Sequence, residues 1–569
     1  MEATEQTFTS WDGAELFYRS WLPDKAANKA VLLFHRGHEH SGRWQKTVDL
    51  LNLDDVAIFA WDARGHGRSP GERGAANSLH DVIKDVDVFA RHVSKAHGIP
   101  IGNMIVLAHS LAAVTVTAWV HDYAPPVRAM ILATSAFHVK LYVPFAIPML
   151  RIFRPRYVKS YVKSKMLTHD REKAVQYDSD PLIFRQIAVN VLLDLHDTAK
   201  RLVADAGAIQ TPTLMIGAGK DWIVSLEAQQ AFFDRLSSTE KRFEIFPQAY
   251  HAIFHETNRC DVVELVRDFV RDSFAKPATV YSLLNADKNG YTAREYERLK
   301  NNGSVKFAIA RAGLRFVGRL SHGIEIGWRD GFDSGLSLDH VYKNDPHGRS
   351  AFGRLIDKSY LNSIGWRGIR QRKANLKNVL CDLILKLHRE NRPAQILDIA
   401  AGAGRYVIEA MRALPEIPIG ATLCDYKQEN VDAARRLADE SNLNGAVEAK
   451  RADAFDRESL ARIQPRATIG IVSGLYELFP SNDLVLNSLR GLAEAIEPGG
   501  YLIYTNQPWH PQLNFIAHVL RNREGKRWTM RRRTTAEMDE LVRTTGFEKI
   551  GMEIDQWGMF TVSVARRGR

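Results

Sequence analysis

A serine at residue 110 lies in the string Ile105-Val106-Leu107-Ala108-His109-Ser110-Leu111-Ala112-Ala113, where an apolar run ends and a helical pattern begins. A serine on so sharp a strand-to-helix turn exposes its hydroxyl and needs small residues two positions to either side. Those neighbours are Ala108 and Ala112. Asp221 lies just beyond the later apolar run Thr213–Gly217, and His251 follows the next one, Lys241–Phe246. The order Ser110, Asp221, His251 suits nucleophilic acyl transfer. His251 would take the serine proton, and Asp221 would hold the imidazole tautomer and stabilise the imidazolium. The oxyanion of a tetrahedral intermediate needs backbone N–H donors, for which Leu111 and Gly37 are the candidates. His35, His38 and His40 surround Gly37 and could also be read as metal ligands. An oxyanion loop already explains that segment, so no metal is expected.

The elements that must position these groups alternate short β-branched runs with helical patterns, which predicts a parallel sheet covered by helices. Strands are expected at 30–34, 57–62, 104–108, 129–134, 213–217 and 241–246, with helices at 77–97 and 226–236. Between residues 137 and 207 the alternation stops, predicting a helical cap inserted over the sheet. Its start, residues 137–150, is apolar, and Arg151, Arg154, Arg156, Lys159, Lys163 and Lys165 follow. Such a surface suits either docking on anionic lipid or a buried cap helix with a solvated basic face.

Residues 35–44 (H-R-G-H-E-H-S-G-R-W), 62–74 (D-A-R-G-H-G-R-S-P-G-E-R-G) and the Ser110 turn together resemble the monoacylglycerol lipase and lysophospholipase-like α/β-hydrolases. The resemblance spans residues 7–274. It implies an esterase of acylglycerols or lysolipids with a lipid-facing cap. The sequence departs from that family at Arg36, where glycine is usual, and at the two alanines of the turn.

A second chemistry-bearing string, residues 394–406 (A-Q-I-L-D-I-A-A-G-A-G-R-Y), ends a strand in Asp398 and follows it with a small-residue turn containing Gly402 and Gly404. Such a turn lets backbone approach a ligand before a helix and could by itself serve a dinucleotide. The next strand also ends in an acid, Asp425, and the one after in Arg451-Ala452-Asp453-Ala454. This series resembles the class I S-adenosylmethionine-dependent methyltransferases. The resemblance implies that Gly402 and Gly404 flank the methionine part of S-adenosylmethionine, with Asp398 supporting its amino end. It further implies that Asp425 binds the ribose and that Asp453 and Ala454 contact the adenine. Tyr476, Glu477 and His510 are candidate acceptor-side bases, each equally readable as structural. With the strings S-G-L-Y-E-L-F (473–479) and N-Q-P-W-H-P-Q (506–512), the whole chain resembles a bacterial group joining an α/β-hydrolase to a methyltransferase domain.

The expected fold class is therefore α/β. A hydrolase with cap (1–275, cap 137–207) precedes a basic, mainly helical linker or extension (276–390) and a Rossmann-like methyltransferase domain (391–569). The 569 residues suffice for at least two domains, and three cysteines without a C-x-x-C pair exclude a disulfide scaffold. The net charge of +11 is uneven. Residues 1–275 hold 32 basic and 32 acidic side chains, whereas 276–400 hold 22 and 12. That excess, with the arginine-rich string 521–533, motivates a nucleic-acid methyltransferase as an alternative; a non-catalytic, partner-binding second domain is another. The start of the sequence lacks a secretory pattern, and its longest apolar stretch is too short to span a bilayer. A cytoplasmic protein is expected, with peripheral contact at the inner face of the membrane as a further reading.

Overall fold

The computed structural model describes residues 2–278, 281–301 and 303–568. The chain divides into two units, residues 1–280 and 281–569.

Among the described residues, the first unit holds an eight-stranded sheet. From one edge its strands are Thr4–Thr9, Glu15–Trp21, Ala57–Trp61, Ala30–Phe34, Met104–His109, Ala129–Ala133, Thr213–Ala218 and Lys241–Phe246. The last six in chain order run parallel, and the first two pair antiparallel at the edge. Every residue of Met104–His109 and of Ala129–Ala133 is buried, because helices cover both faces. Hence their sequences are continuous apolar runs without alternation. The two antiparallel strands at the edge were not among the expected strands. Thr4–Thr9 buries only Phe8, so it has no apolar run to reveal it.

The segment between Ala129–Ala133 and Thr213–Ala218 contains helices Ala146–Phe153, Arg171–Ser179 and Val189–Asp205. It is not wholly helical, since Tyr157–Lys159 pairs antiparallel with Gln186–Ala188. Three-residue strands are too short to carry a readable period.

The second unit's sheet has the order Val447–Arg451, Ile419–Asp425, Ala394–Asp398, Ala467–Val472, Ile496–Asn506, Thr561–Arg567 and Phe547–Ile554. In chain order that is 3-2-1-4-5-7-6, with every strand parallel except Thr561–Arg567, which pairs antiparallel with both of its neighbours. The long helix Ile364–Arg389 sets Leu376, Leu380, Ile384 and Leu387 into the core of this sheet. Five shorter helices between residues 291 and 361 precede it, and several of them share a second core with Ile516, Trp528 and Phe560. Of the two readings of the basic stretch, linker or extension, its helices between residues 291 and 389 form the second: an integral helical layer of this unit.

The arginine run also has an internal use. Arg531 pairs with Glu537 at 2.7 Å, Arg532 with Glu295 at 2.5 Å, and Arg533 donates to the carbonyls of Tyr476 (2.6 Å) and Phe479 (2.9 Å). All three are buried, which satisfied partners make tolerable. They are not a surface offered to phosphate. Among the described residues, no helix is long and apolar enough to cross a membrane.

Candidate active sites

In the first unit, Ser110 follows strand Met104–His109 and precedes helix Leu111–Tyr123, with φ 59° and ψ −114°. Few non-glycine residues adopt such a backbone, and the strain is held by hydrogen bonds. Ser110 N–H donates to Ala133 O at 2.9 Å, and its carbonyl accepts from Ala113 and Ala136. The turn forms with Ala108 and Ala112 buried at its flanks. Ser110 Oγ and His251 Nε2 are 2.8 Å apart, and His251 Nδ1 is 2.8 Å from Asp221 Oδ2. All three side chains are buried.

Asp221 Oδ1 accepts the N–H groups of Ile223 (2.7 Å) and Val224 (3.0 Å). Burial acts to raise its carboxyl. The adjacent His251 and these N–H donors outweigh burial and hold it below the usual carboxylate range. Two residues that sequence reasoning missed fix the histidine loop. His109 Nε2 donates to His251 O at 3.0 Å, and Thr134 Oγ1 donates to the same carbonyl at 3.1 Å. Burial pushes His109 down to about 3, so it is a neutral donor. Its position inside the Ser110 string was the available signal.

Gly37 and Leu111 face the same cavity as Ser110. Leu111 is the first residue of its helix, so its N–H has no partner within that helix. The loop carrying Gly37 is braced by the 62–74 string. Asp62 accepts from Ser41 N–H at 2.6 Å and Arg68 N–H at 2.8 Å, and His35 Nε2 accepts from Ala63 N–H at 3.0 Å. Gly67 is obligatory there: its φ is +50°, and a Cβ would lie 2.1 Å from Asp62 Oδ2. His35 is thus a loop brace, whereas His40 turns to Asp180 at 3.0 Å. Among the described residues, no group of three or more His, Cys, Asp or Glu side chains is placed to hold a metal ion.

Arg36, the departure from the family pattern, is buried with its Nε 3.3 Å from Glu39. Its guanidinium stacks 4.9 Å above the Tyr177 ring. Arg43 (2.9 Å) and His255 (3.1 Å) also hold Glu39. Burial opposes the Glu39 charge, but Arg36, His255 and Arg43 keep the carboxyl well below its usual range. Glu39→Ala would leave Arg36 buried without its counter-charge. The expected cost is about 3–5 kcal/mol of stability, read by chemical denaturation. A loss below about 1 kcal/mol would show that Glu39 does not hold the loop.

The cavity over Ser110 has a volume of about 470 Å³ and mostly apolar walls, including Leu141, Met149, Leu150, Val191 and Leu195 from the inserted segment. Helix Ala146–Phe153 lines it on one side and leaves Ile152 74% and Phe153 73% exposed on the other, beside Phe145 at 80%.

In the second unit, Asp398, Asp425 and Asp453 lie at or just past the C-terminal ends of three adjacent parallel strands. Gly402 (φ +56°) and Gly404 (φ +66°) turn the chain between them. Asp425 Oδ2 accepts Gly402 N–H at 3.0 Å, while its Oδ1 accepts from Lys427 N–H and Asn430. The acid therefore braces the turn as well as ending a strand. A Cβ on Gly404 would come 2.4 Å from Leu423 Cδ1, whereas one on Gly402 would meet nothing within 4 Å. Backbone is consequently open to a ligand at Gly402. Asp398 is fully buried, accepts from Tyr406 Oη and Ala400 N–H, and is pushed up to about 7 by burial. Asp453 accepts Phe455 N–H at 2.9 Å, and Ala454 packs in the core. The open turn and row of acids fit a cationic, ribose-bearing cofactor.

The three candidate bases have different surroundings. Tyr476 donates to Ser488 at 2.9 Å and is raised by burial, which makes it a core residue. Glu477 stands 3.4 Å from Arg372, and His510 is held at about 4 by burial. Tyr406 and the Arg372–Glu477 pair were not legible as site neighbours, because helix Ile364–Arg389 supplies Arg372 from outside the motif series.

This geometry defines an α/β-hydrolase of the lipase/esterase type joined to a Rossmann-like methyltransferase domain. A family model described as "Putative methyltransferase" matches residues 266–567, and one described as "Serine aminopeptidase, S33" matches residues 25–258. The chain belongs to that methyltransferase family, with the hydrolase domain ahead of it. It is 45% identical to Uncharacterized protein YnbC of Escherichia coli (strain K12), over 99% of this chain and 98% of the relative. Its first half is 24% identical to a monoacylglycerol lipase of Mycolicibacterium smegmatis, over 47% of this chain and 96% of that protein. A soluble variant of monoglyceride lipase from Saccharomyces cerevisiae, solved with a substrate analogue, aligns with 49% of this chain and 97% of its own (21% identity, TM-score 0.43).

Proposed function

We propose that the protein is a bifunctional, lipid-related enzyme: a serine esterase of acylglycerol or lysophospholipid-type esters, plus S-adenosylmethionine-dependent methyl transfer onto a small or lipid acceptor. The observation that carries the first activity is the buried Ser110–His251–Asp221 chain at the floor of an apolar cavity. His251 Nε2 accepts the Ser110 proton as Oγ attacks the ester carbonyl, and Asp221 stabilises the imidazolium. The N–H groups of Leu111 and Gly37 receive the oxyanion. His251 then returns the proton to the leaving alcohol. The acyl-enzyme is hydrolysed by water, activated at the same nitrogen. Hydrolysis of long-chain monoacylglycerol and lysophospholipid by purified protein tests the reading. Turnover of neither would defeat it.

The exposed Phe145, Ile152 and Phe153, next to the exposed Arg154, Lys159, Lys163 and Lys165, support docking of the cavity mouth on anionic lipid. Phe145→Asp with Phe153→Asp should cut co-sedimentation with phosphatidylglycerol vesicles several-fold, while turnover of a short water-soluble ester stays unchanged. Equal sedimentation of variant and parent would contradict docking.

In the second unit, Gly402 and Gly404 would admit the methionine part of S-adenosylmethionine, the buried Asp398 would support its amino end, and Asp425 would meet its ribose hydroxyls, with Asp453 and Ala454 at the adenine. When bound, the cofactor supplies a methyl group activated by its sulfonium. The protein contributes position and exclusion of water. Asp425→Ala should weaken S-adenosylmethionine binding by about 10- to 100-fold in calorimetry without altering ester hydrolysis. If the parent protein binds no cofactor, the domain is a partner-binding scaffold instead.

A further inference from the structure

Beneath the helical layer of the second unit lies a cavity of about 410 Å³, separate from the strand-end acids. Leu314, Ile356, Ile369, Phe515 and Met530 give it mostly apolar walls. Gly474 and Glu477, just past strand Ala467–Val472, and Gln507 and His510, just past Ile496–Asn506, form its polar end. Arg372, on helix Ile364–Arg389, pairs with Glu477 at this end at 3.4 Å.

Two of the N–H donors here have no acceptor. Gln507 Nε2 and Trp528 Nε1 are buried and lack a hydrogen-bond partner. Their residues are 2% and 8% exposed. His510 Nδ1 accepts Gln512 N–H at 3.1 Å, so in the neutral ring Nε2 carries the proton. Gly365 leaves space in front of that nitrogen, since a Cβ there would lie 3.0 Å from it. A buried donor without an acceptor is costly, and a bound oxygen would satisfy it. The charges on the wall argue against an anion. Arg372 is the cation among the described lining residues and is already paired with Glu477; Asp333 is a second acid, near Arg523.

We infer that this cavity binds an uncharged, mainly apolar molecule whose polar end carries a hydroxyl or carbonyl oxygen; its role as the acceptor side of the methyltransferase rests on the function proposed above. The oxygen would accept from an unpaired donor of the wall, Gln507 Nε2 or Trp528 Nε1, or from His510 Nε2, and the apolar body fills the space beneath the helices. A phosphate-bearing lipid would bring an unpaired anion beside Glu477 and Asp333 and is excluded.

Photoaffinity labelling of the full-length protein with dodecan-1-ol carrying a mid-chain diazirine, followed by peptide mapping, tests this directly. Saturable labelling is expected within residues 356–369 and 515–530, competed by unmodified dodecan-1-ol at least about tenfold better than by dodecyl phosphate. Gly365→Val fills the space before His510 and should reduce this labelling about tenfold or more while leaving the hydrolase unit's ester turnover unchanged. Gln507→Leu, which removes a buried unpaired donor, should weaken labelling without lowering the melting temperature. Absence of label from both segments, equal competition by the phosphate, or full labelling of both variants would overturn the inference. Calorimetry with S-adenosylmethionine separates the two levels. Labelling without cofactor binding keeps the cavity as a ligand site and removes its acceptor role. Cofactor binding without labelling overturns the cavity's ligand and leaves the methyltransferase reading standing.

Discussion

Ser110→Ala is expected to lower turnover of a p-nitrophenyl ester by about a million-fold, because every covalent step passes through that oxygen. The fold should tolerate the change. The strained turn is held by main-chain bonds from Ser110 to Ala133, Ala113 and Ala136, none of which uses the hydroxyl. Melting temperature and S-adenosylmethionine binding should therefore match the parent. Turnover within tenfold of the parent would remove Ser110 as nucleophile, whatever its geometry.

Asp221→Asn is expected to lower turnover by about 10⁴-fold while leaving the fold intact. Asparagine keeps an oxygen for the N–H groups of Ile223 and Val224. Its amide, however, would present N–H to His251 Nδ1 and place the imidazole proton on Nε2, facing Ser110. The base is then in the wrong tautomer. In the parent, Asp221 is held below the usual carboxylate range by His251 and two N–H donors despite its burial, so it stays charged at neutral pH. A residual rate close to the parent's would mean that another group sets the tautomer.

The central parallel strands were legible because they are buried on both faces. Their apolar runs at 104–108 and 129–134 needed no periodicity. The groups at the ends of such strands, Ser110, Asp221, Asp398 and Asp425, were legible for the same reason: each stands where an apolar run stops. Contacts made by residues distant in sequence were not. His109 and Thr134 converge on His251 O only after the sheet forms. Arg36 looked anomalous until Glu39, Arg43, His255 and Tyr177 surrounded it.

Charge misled where burial was invisible. Arg531–Arg533 resembles a phosphate-binding run in one dimension, yet each guanidinium reaches a carboxylate or main-chain carbonyl inside the unit. Likewise, the composition of residues 276–390 left open whether they are a linker or an extension of the second domain. Leu376, Leu380, Leu383, Ile384 and Leu387 on helix Ile364–Arg389 recur at helical spacing amid basic residues, and this stripe holds the layer to the sheet. The cavity beneath that layer follows from tertiary packing and has no counterpart in any single motif.

The central claim is that Ser110 is the activated nucleophile of a hydrolase that works independently of the second unit. Labelling the full chain with an alkyl fluorophosphonate, with the modified residue identified by mass spectrometry, tests it most directly. One adduct is expected, on Ser110, absent in Ser110→Ala, much slower to form in Asp221→Asn and unchanged in Asp425→Ala. An adduct on another residue, or none on the folded parent protein, would contradict it.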